Sequence, residues 1–327
     1  MPATKPTVYL ETHSQDPAYN LAFEETVLKV RKDRPYLLLW QNDNTIVVGQ
    51  NQNTAAEIDP DFVEAHHIHV VRRITGGGAV YHDLGNLNYS FLTDVDNAAD
   101  MTYQQFTRPV VEALQGLGLQ AEASGRNDIL VEGRKVSGTA QRMLFHGTLL
   151  FDSDLSTIAG ALRADPSKFQ SKSAQSVRSR VGNIRSFLKE DMNLPAFWQY
   201  LKSYFGGEGL ESGSLTQEEL AAVQALKENK YDTWEWTYGR SPHFTFINKR
   251  KWPGGMLEAG LQVTEGHIED LRFYGDFLSL TSLDGTVEAL RGVPYRRREV
   301  EKILKTLPLD RCFGSLTPQE ILDTIFA

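Results

Sequence analysis

The chain has 327 residues, 41% of them apolar and 23% charged, with a formal net charge of −8, a globular composition long enough for about two domains of ~100–200 residues. Net acidity argues against a broad nucleic-acid surface, and no apolar run approaches the ~20 residues of a bilayer span. The start, MPATKPTVYL, lacks the apolar stretch of a signal peptide, so a cytoplasmic location with no nucleic-acid or membrane partner is expected.

Asp16-Pro17 reads as an N-cap followed by proline at the first helical position. Tyr19, Ala22, Phe23, Val27 and Val30 then share one helical face. Short β-rich runs follow at Tyr36–Trp40, Thr45–Gly49 and His69–Ile74. His66, His67 and His69 cluster without zinc-ligand spacing and lead into an apolar run, so they read as structural. Asn86–Phe91 alternates: Leu87, Tyr89 and Phe91 face a core, and Asn86, Asn88 and Ser90 point the other way. A helix is predicted over Tyr103–Leu117 and strands over Arg134–Arg142 and Phe145–Phe151. Ser171–Arg185, rich in Ser, Lys and Arg, reads as a long mobile loop. Helical patterns resume at Leu194–Tyr204 and Thr216–Asn229, the second opening with Thr216 and Glu219 in capping-box spacing. A loop with Trp234, Trp236, Tyr238, Gly239 and Pro242 follows. Beyond Arg250 the pattern becomes two strands, Leu257–Val263 and His267–Phe273, turning through Glu265-Gly266, and two helices, Arg297–Leu307 and Thr317–Phe326. This shift places a domain boundary near Ile247–Trp252.

Four segments carry candidate chemistry. Arg72-Arg73-Ile74-Thr75-Gly76-Gly77-Gly78-Ala79-Val80-Tyr81-His82-Asp83 sets three glycines after a strand. Such glycines permit positive φ and close ligand approach, and their N–H groups can converge on an anion that a neighbouring arginine also pairs. The spacing matches neither a P-loop nor a dinucleotide fingerprint, and a glycine-rich turn is the bland alternative. In Arg134–Gln141 an extended strand puts Lys135, Ser137 and Thr139 on one face, with Gly138 and Ala140 leaving the other small. One cation and two hydroxyls suit a polar ligand, although a lysine on a solvated strand is common. Asn127-Asp128 suits a magnesium ion or a nucleotide, and is equally an ordinary turn pair. His146-Gly147-Thr148 opens an apolar strand.

Together these segments resemble the bacterial lipoate–protein ligase A family, within the biotin/lipoate ligase superfamily. The resemblance is carried by RRITGGGAVYHDLGNLNYSF (72–91), GRNDILVEGRKVSGTAQR (125–142), HGTLLF (146–151), SVRSRVGNI (176–184), LLLWQNDNTIVVGQNQN (37–53) and WEWTYGRSPHF (234–244). It covers nearly the whole chain. It implies an α+β fold: a catalytic domain over 1–247 on a mixed, mainly antiparallel sheet, and a small α/β accessory domain over 248–327. It implies ATP and Mg2+ as co-substrate and ion, and lipoate as substrate. The acceptors it implies are lipoyl domains of 2-oxoacid dehydrogenase complexes or glycine-cleavage H-protein. By motif match, Lys135 would contact the carboxylate and α-phosphate. Arg73, Gly77, Gly78 and His82 would line the lipoyl-adenylate site, with Trp40, Thr75, Gly76, Val80, Asn86, Ser137, His146, Gly147 and Thr148 also assigned to substrate and adenylate binding. Asn127, Asp128, Gly138, Thr139 and Ala140 would hold the nucleotide side, with Asp128 the candidate Mg2+ ligand. By the same resemblance, Val177 and Arg178 would fall in the segment that closes over adenosine. Some relatives carry serine where this chain has Thr75, and both keep a hydroxyl.

Three rivals stand beside the ligase. Octanoyl and lipoyl transferases of the same fold carry the acyl group on a cysteine thiolate, but the single cysteine, Cys312, lies far along the chain with no motif around it. A biotin ligase would show a GRGRxxR-type loop where this chain has RRITGGG. A non-catalytic lipoate or lipoyl-domain binder would not need Lys135, Arg73 and the glycines together. No dedicated general base for an acceptor lysine stands out, Asp128 being one candidate.

Overall fold

The computed structural model describes residues 6–52, 54–92, 103–124, 128–142, 144–162, 181–238, 246–264 and 266–326. Asn127, Val177 and Arg178 lie outside them. Among these residues, fourteen strands form three sheets. The strands are β1 (Val8–Leu10), β2 (Tyr36–Trp40), β3 (Thr45–Val48), β4 (His69–Arg72), β5 (Val80–His82), β6 (Asn86–Leu92) and β7 (Ala121–Ser124), then β8 (Asp128–Val131), β9 (Arg134–Arg142), β10 (Leu144–Leu150), β11 (Glu211–Ser212), β12 (Phe246–Trp252), β13 (Gly255–Thr264) and β14 (His267–Gly275). The main sheet runs β11-β1-β2-β6-β10-β9-β8-β7. Its β11/β1/β2 ladders are parallel, and those from β2 to β7 antiparallel.

The alternation of β6 decides the layering. Leu87 and Tyr89 enter a core with Leu37 and Leu39 of β2, Phe145 and Leu149 of β10, and the helices Tyr103–Gly116 and Leu194–Gly206. Asn88 and Ser90 take the opposite face, where β2 presents Leu38 and Trp40. That face is covered by the Pro17–Val30 helix and by a small sheet, β4-β3-β5. The two faces therefore differ in chemistry: one mainly apolar, one with a polar strip in its middle.

The Pro17–Val30 helix opens as expected, with the Asp16 side chain accepting from the N–H groups of Ala18 and Tyr19. It is buried on more than one side, Asn20, Glu24 and Glu25 included, whereas Val30 is exposed. The Thr216 capping box is present, but the α-helix ends at Leu226 and passes into a π-turn over Lys227–Tyr231. The Trp-rich connector forms a short helix, Trp234–Thr237, with Trp234 exposed and Trp236 donating to Arg72 O (2.8 Å). Of the expected mobile span, Ser171–Ser179 and Arg180 lie outside the described residues. Its end is tied down: Gly182 N donates to Lys135 O (3.0 Å), Arg185 N to Phe151 O (3.0 Å), and the Arg185 guanidinium pairs with Asp152 and Asp191.

The C-terminal part holds a third sheet, β12-β13-β14, and four helices, Asp284–Leu290, Arg297–Leu304, Leu309–Phe313 and Pro318–Ile325, around a core of its own. One strand more than the two expected appears here: β12, whose Lys249, Arg250 and Lys251 are exposed on a sheet edge and hide the alternation that marks a strand. Cys312 is buried in this core beside Thr281. No helix among the described residues is long and apolar enough to cross a membrane.

Candidate functional site

A cleft opens between the polar strip of the main sheet and the small sheet. Leu21, Trp40, Val47, Ala79 and Val80 give it apolar walls, and Arg73, His82, Asn88, Lys135, His146 and Thr148 set polar groups among them. Gly78 and Gly147 complete the lining. The sheet register explains this convergence, because Trp40 pairs with Asn88 and Asn88 with Thr148 across adjacent strands. An apolar slot with a few oriented polar groups is the usual form of a small-molecule site.

Arg73 is 6% exposed. Its guanidinium donates to the carbonyls of Val47 (3.1 Å), Gly76 (2.7 Å) and Gly78 (2.8 Å), so it fixes the glycine loop while holding charge at the wall. Burial pushes it down to about 10, which leaves it cationic at neutral pH. Arg72 is buried beside it and ties Gly49, Gln52 and Thr54 to the carbonyls of Trp236 and Thr237. Neither guanidinium touches a carboxylate among the described residues. Two cations are thus held by carbonyl dipoles, a setting that favours an incoming anion.

The three glycines serve three purposes. A Cβ on Gly76 would lie 2.6 Å from Phe277 O and 3.1 Å from Leu278 Cα, so its requirement is close packing of the C-terminal part. Gly77 has φ of 89°. A Cβ on Gly78 would meet nothing within 4 Å, leaving backbone open to a ligand. The C-terminal part also bonds to the loop before this motif, through Gly275 N to Asn51 O (2.7 Å) and Asn51 Nδ2 to Ser279 Oγ (2.9 Å).

On β9 the alternation expected for Lys135, Ser137 and Thr139 is broken by a bulge. Leu130 pairs with Lys135 but Ile129 with Ser137, so Val136 is an extra residue. Val136 and Ile129 enter the apolar core, and Ser137 is buried opposite Ile129. Lys135 reaches the other face, where its ammonium pairs with Asp128 at 2.7 Å. Gly138 sits opposite Asp128, Thr139 opposite Gly147 and Ala140 opposite His146.

Thr75 and Asn86 are fully buried behind the wall. Thr75 Oγ1 lies 2.7 Å from His146 Nε2, and His146 Nδ1 lies 2.8 Å from Glu24 Oε1. Ser90 also donates to Glu24 (2.5 Å) and accepts from Trp40 Nε1 (2.9 Å). His82 is held at Nδ1 by Asn42 (3.0 Å), and burial, Arg73 and His146 push its imidazole down to about 3. Glu24, Asn42, Asn88 and Ser90 were not among the expected site residues. Glu24 stood out as an acid inside an apolar helix, and Asn88 and Ser90 as the polar half of the β6 alternation, whereas Asn42, in the loop after β2, carried no such signal.

No group of three or more His, Cys, Asp or Glu among the described residues is placed to hold a metal ion. Asp128 offers one carboxylate, engaged by Lys135.

The Lipoyl protein ligase A/B catalytic domain family matches residues 16–206, and the Bacterial lipoate protein ligase C-terminus family matches residues 241–325. The chain is 40% identical over 321 residues to Lipoate-protein ligase LplJ of Bacillus subtilis, covering 95% of this chain and 97% of that one. Among solved structures, a bi-partite lipoate protein ligase from Thermoplasma acidophilum, described with its E2 lipoyl domain, matches with TM-score 0.64 at 29% identity, over 74% of this chain and 99% of that one. A lipoate-protein ligase A bound with ATP matches with TM-score 0.61 at 28% identity, over 72% of this chain and 99% of that one. By its catalytic and C-terminal segments alike, the chain belongs to the lipoate–protein ligase family.

Proposed function

We propose that this chain activates lipoate with ATP in the cytoplasm and transfers the lipoyl group to a lysine of lipoyl domains or of an H-protein. The observation that carries the reading is the cleft itself, apolar along its walls and bordered by Arg73, His82 and Lys135. Such a slot fits an acid with an apolar tail.

In the first step a carboxylate oxygen attacks the α-phosphorus of ATP, the bond to pyrophosphate breaks, and an acyl-adenylate forms. Two anions must meet, so the site's task is to offset their repulsion. Lys135 supplies a mobile charge. Turning from Asp128 toward the phosphate would also free that carboxylate for Mg2+, which when bound would spread the charge of the leaving pyrophosphate. Arg73 supplies a fixed charge. Gly78 leaves room for the reacting group. In the second step the lysine amine attacks the acyl carbon, the bond to AMP breaks, and the amine proton passes to solvent or a nearby carboxylate, Asp128 being the nearest acid to Lys135. The cleft, closed behind by Thr75, His146 and Glu24, limits water that would hydrolyse the mixed anhydride.

Asn127, Val177 and Arg178 keep their proposed place on the nucleotide side. We also keep the two-domain division, expected at 247/248, but move it ahead of β12, whose Phe246 and Ile247 already pair with β13 of the C-terminal sheet. Because β12 begins at Phe246, a truncation should be set ahead of that residue.

Pyrophosphate release with lipoate and ATP, followed by the mass of an acceptor lipoyl domain, tests the reading. A gain of one lipoyl group is expected. Pyrophosphate without acceptor modification would leave adenylation alone. A thioester adduct on Cys312 would indicate a transferase instead.

A further inference from the structure

Behind the cleft, a chain of side-chain amides ends on His82. Asn20 Nδ2 lies 3.0 Å from Ser14 O and 2.7 Å from Gln41 O. Of an amide's two ends only the nitrogen can donate to a carbonyl oxygen, which orients the Asn20 amide. The same nitrogen lies 3.0 Å from Asn42 Oδ1. Reversing Asn42 would set two NH2 groups, donors both, against each other. Asn42 must therefore offer its own NH2 to His82 Nδ1, at 3.0 Å. Asn88 offers a second NH2 to the same atom at 3.5 Å, its oxygen being taken by Asn86 Nδ2 (2.9 Å).

Among the described residues His82 Nδ1 thus meets donors alone and can only accept. In a neutral imidazole the proton then sits on Nε2. The whole chain is closed from water: Asn42 is 0% exposed, Asn20 1% and His82 2%. The titratable groups facing the ring are Arg73, from the glycine motif, and His146, from β10. The Trp40 ring stands edge-on at 6.3 Å. No carboxylate among the described residues bonds to the imidazole. Burial and the Arg73 cation both oppose a second proton, in keeping with the imidazole's depression to about 3. Nε2 is itself buried and has no partner among the described residues, although His82 lines the cleft. A buried donor without an acceptor is a costly arrangement that a bound acceptor would relieve.

We propose that Asn42, oriented by Asn20, is a positioning residue that holds His82 as the neutral Nε2–H tautomer, and that this N–H donates to a carboxyl oxygen of the acyl substrate. The choice of ligand rests on the ligase reading above; the tautomer does not. A neutral donor can serve both the carboxylate and the mixed anhydride made from it, because it brings no proton that the chemistry must remove. Asn42 lies on the loop after β2 and His82 at the end of β5, so the donor is aimed by tertiary packing alone.

The test uses the full chain labelled with 15N in its histidine rings. In wild type, His82 should show an acceptor-type Nδ1 and a protonated Nε2, unchanged between about pH 5 and 8. Added lipoate should move the Nε2–H resonance. Asn42→Asp replaces the donor with a carboxylate, so the proton should move to Nδ1. Pyrophosphate release should then fall about 10²-fold, the scale for losing one oriented donor. Three results would overturn the proposal: a wild-type ring protonated on Nδ1, a wild-type ring that titrates in that range, or an inverted Asn42→Asp ring with pyrophosphate release within about threefold of wild type. If Asn42→Asp does not fold, the wild-type spectrum still decides the tautomer. The expected spectrum without pyrophosphate release from lipoate would sink the ligase reading and the ligand assigned here, while the tautomer stood.

Discussion

Replacing the three glycines of the motif by alanine, one at a time, separates binding from packing. At Gly78 the added methyl meets no atom within 4 Å, and the backbone is outside the positive-φ region. The folded protein should therefore gain ~0.4–1 kcal/mol, because alanine restricts the unfolded chain. That methyl enters a cleft that Gly78 lines, so lipoate binding should weaken about tenfold or more, on the scale by which one methylene changes affinity in a fitted pocket. At Gly76 the methyl would sit 2.6 Å from Phe277 O, roughly 1 Å short of an ordinary contact. Overpacking of that kind costs ~1–3 kcal/mol. Relief by lifting the 277–279 segment would strain the Asn51 bonds to Gly275 and Ser279, each worth ~1 kcal/mol. Gly77, at φ 89°, should cost ~1–2 kcal/mol from the left-handed backbone. Denaturant unfolding gives the stabilities, and lipoate titration followed by tryptophan fluorescence gives the affinity, since Trp40 is in the wall. A Gly78→Ala protein that binds lipoate like wild type, or a Gly76→Ala protein of unchanged stability, would refute the division of roles.

Lys135→Met should abolish most adenylate formation while the fold persists, at ~3–4 kcal/mol of transition-state stabilisation, or 10²–10³ in rate; near-normal pyrophosphate release would exclude the role, and loss of transfer alone would move it to the second step. Cys312→Ser should keep about half or more of the activity, because the thiol is buried in the C-terminal core and small buried thiols behave as modest hydrophobes; an inactive, folded variant would count against it. The His82 imidazole, held at about 3 against an ordinary 6.5, contributes stability that is fully present above about pH 6.5 and lost as pH falls toward 3, because the unfolded chain takes a proton that the native one refuses. His82→Gln should flatten that loss by up to ~1.4 kcal/mol per pH unit, and identical slopes from pH 7 to 5 would contradict it. A chain ending before Phe246 should lose more adenylation than transfer from preformed lipoyl-adenylate; normal ligation from lipoate and ATP would rule that out.

Local signals in the sequence were enough for much of the fold. Asp16-Pro17 caps its helix, Thr216 and Glu219 form their box, and the β6 alternation separates an apolar face from a polar one. Each depends on residues within a few positions of one another, where capping geometry and side-chain period act directly. The glycine and lysine motifs likewise announced their family, because a fixed run of special residues carries its own backbone requirement. Other features could not be read that way. The bulge at Val136 turns Lys135 away from Ser137, and a strict period of two has no means of showing an extra residue. β12 lies on an edge, where charged side chains replace alternation. Gly76 is glycine because residues 277–279, two hundred positions away, lie against it. Glu24, Asn42 and Asn88 became part of the site only when a helix, a loop and a strand met behind His146 and His82. Sequence order fixes which donors and acceptors exist. Which of them are closed from water together is decided by packing, and burial is what turns an ordinary asparagine into the group that sets a histidine's proton.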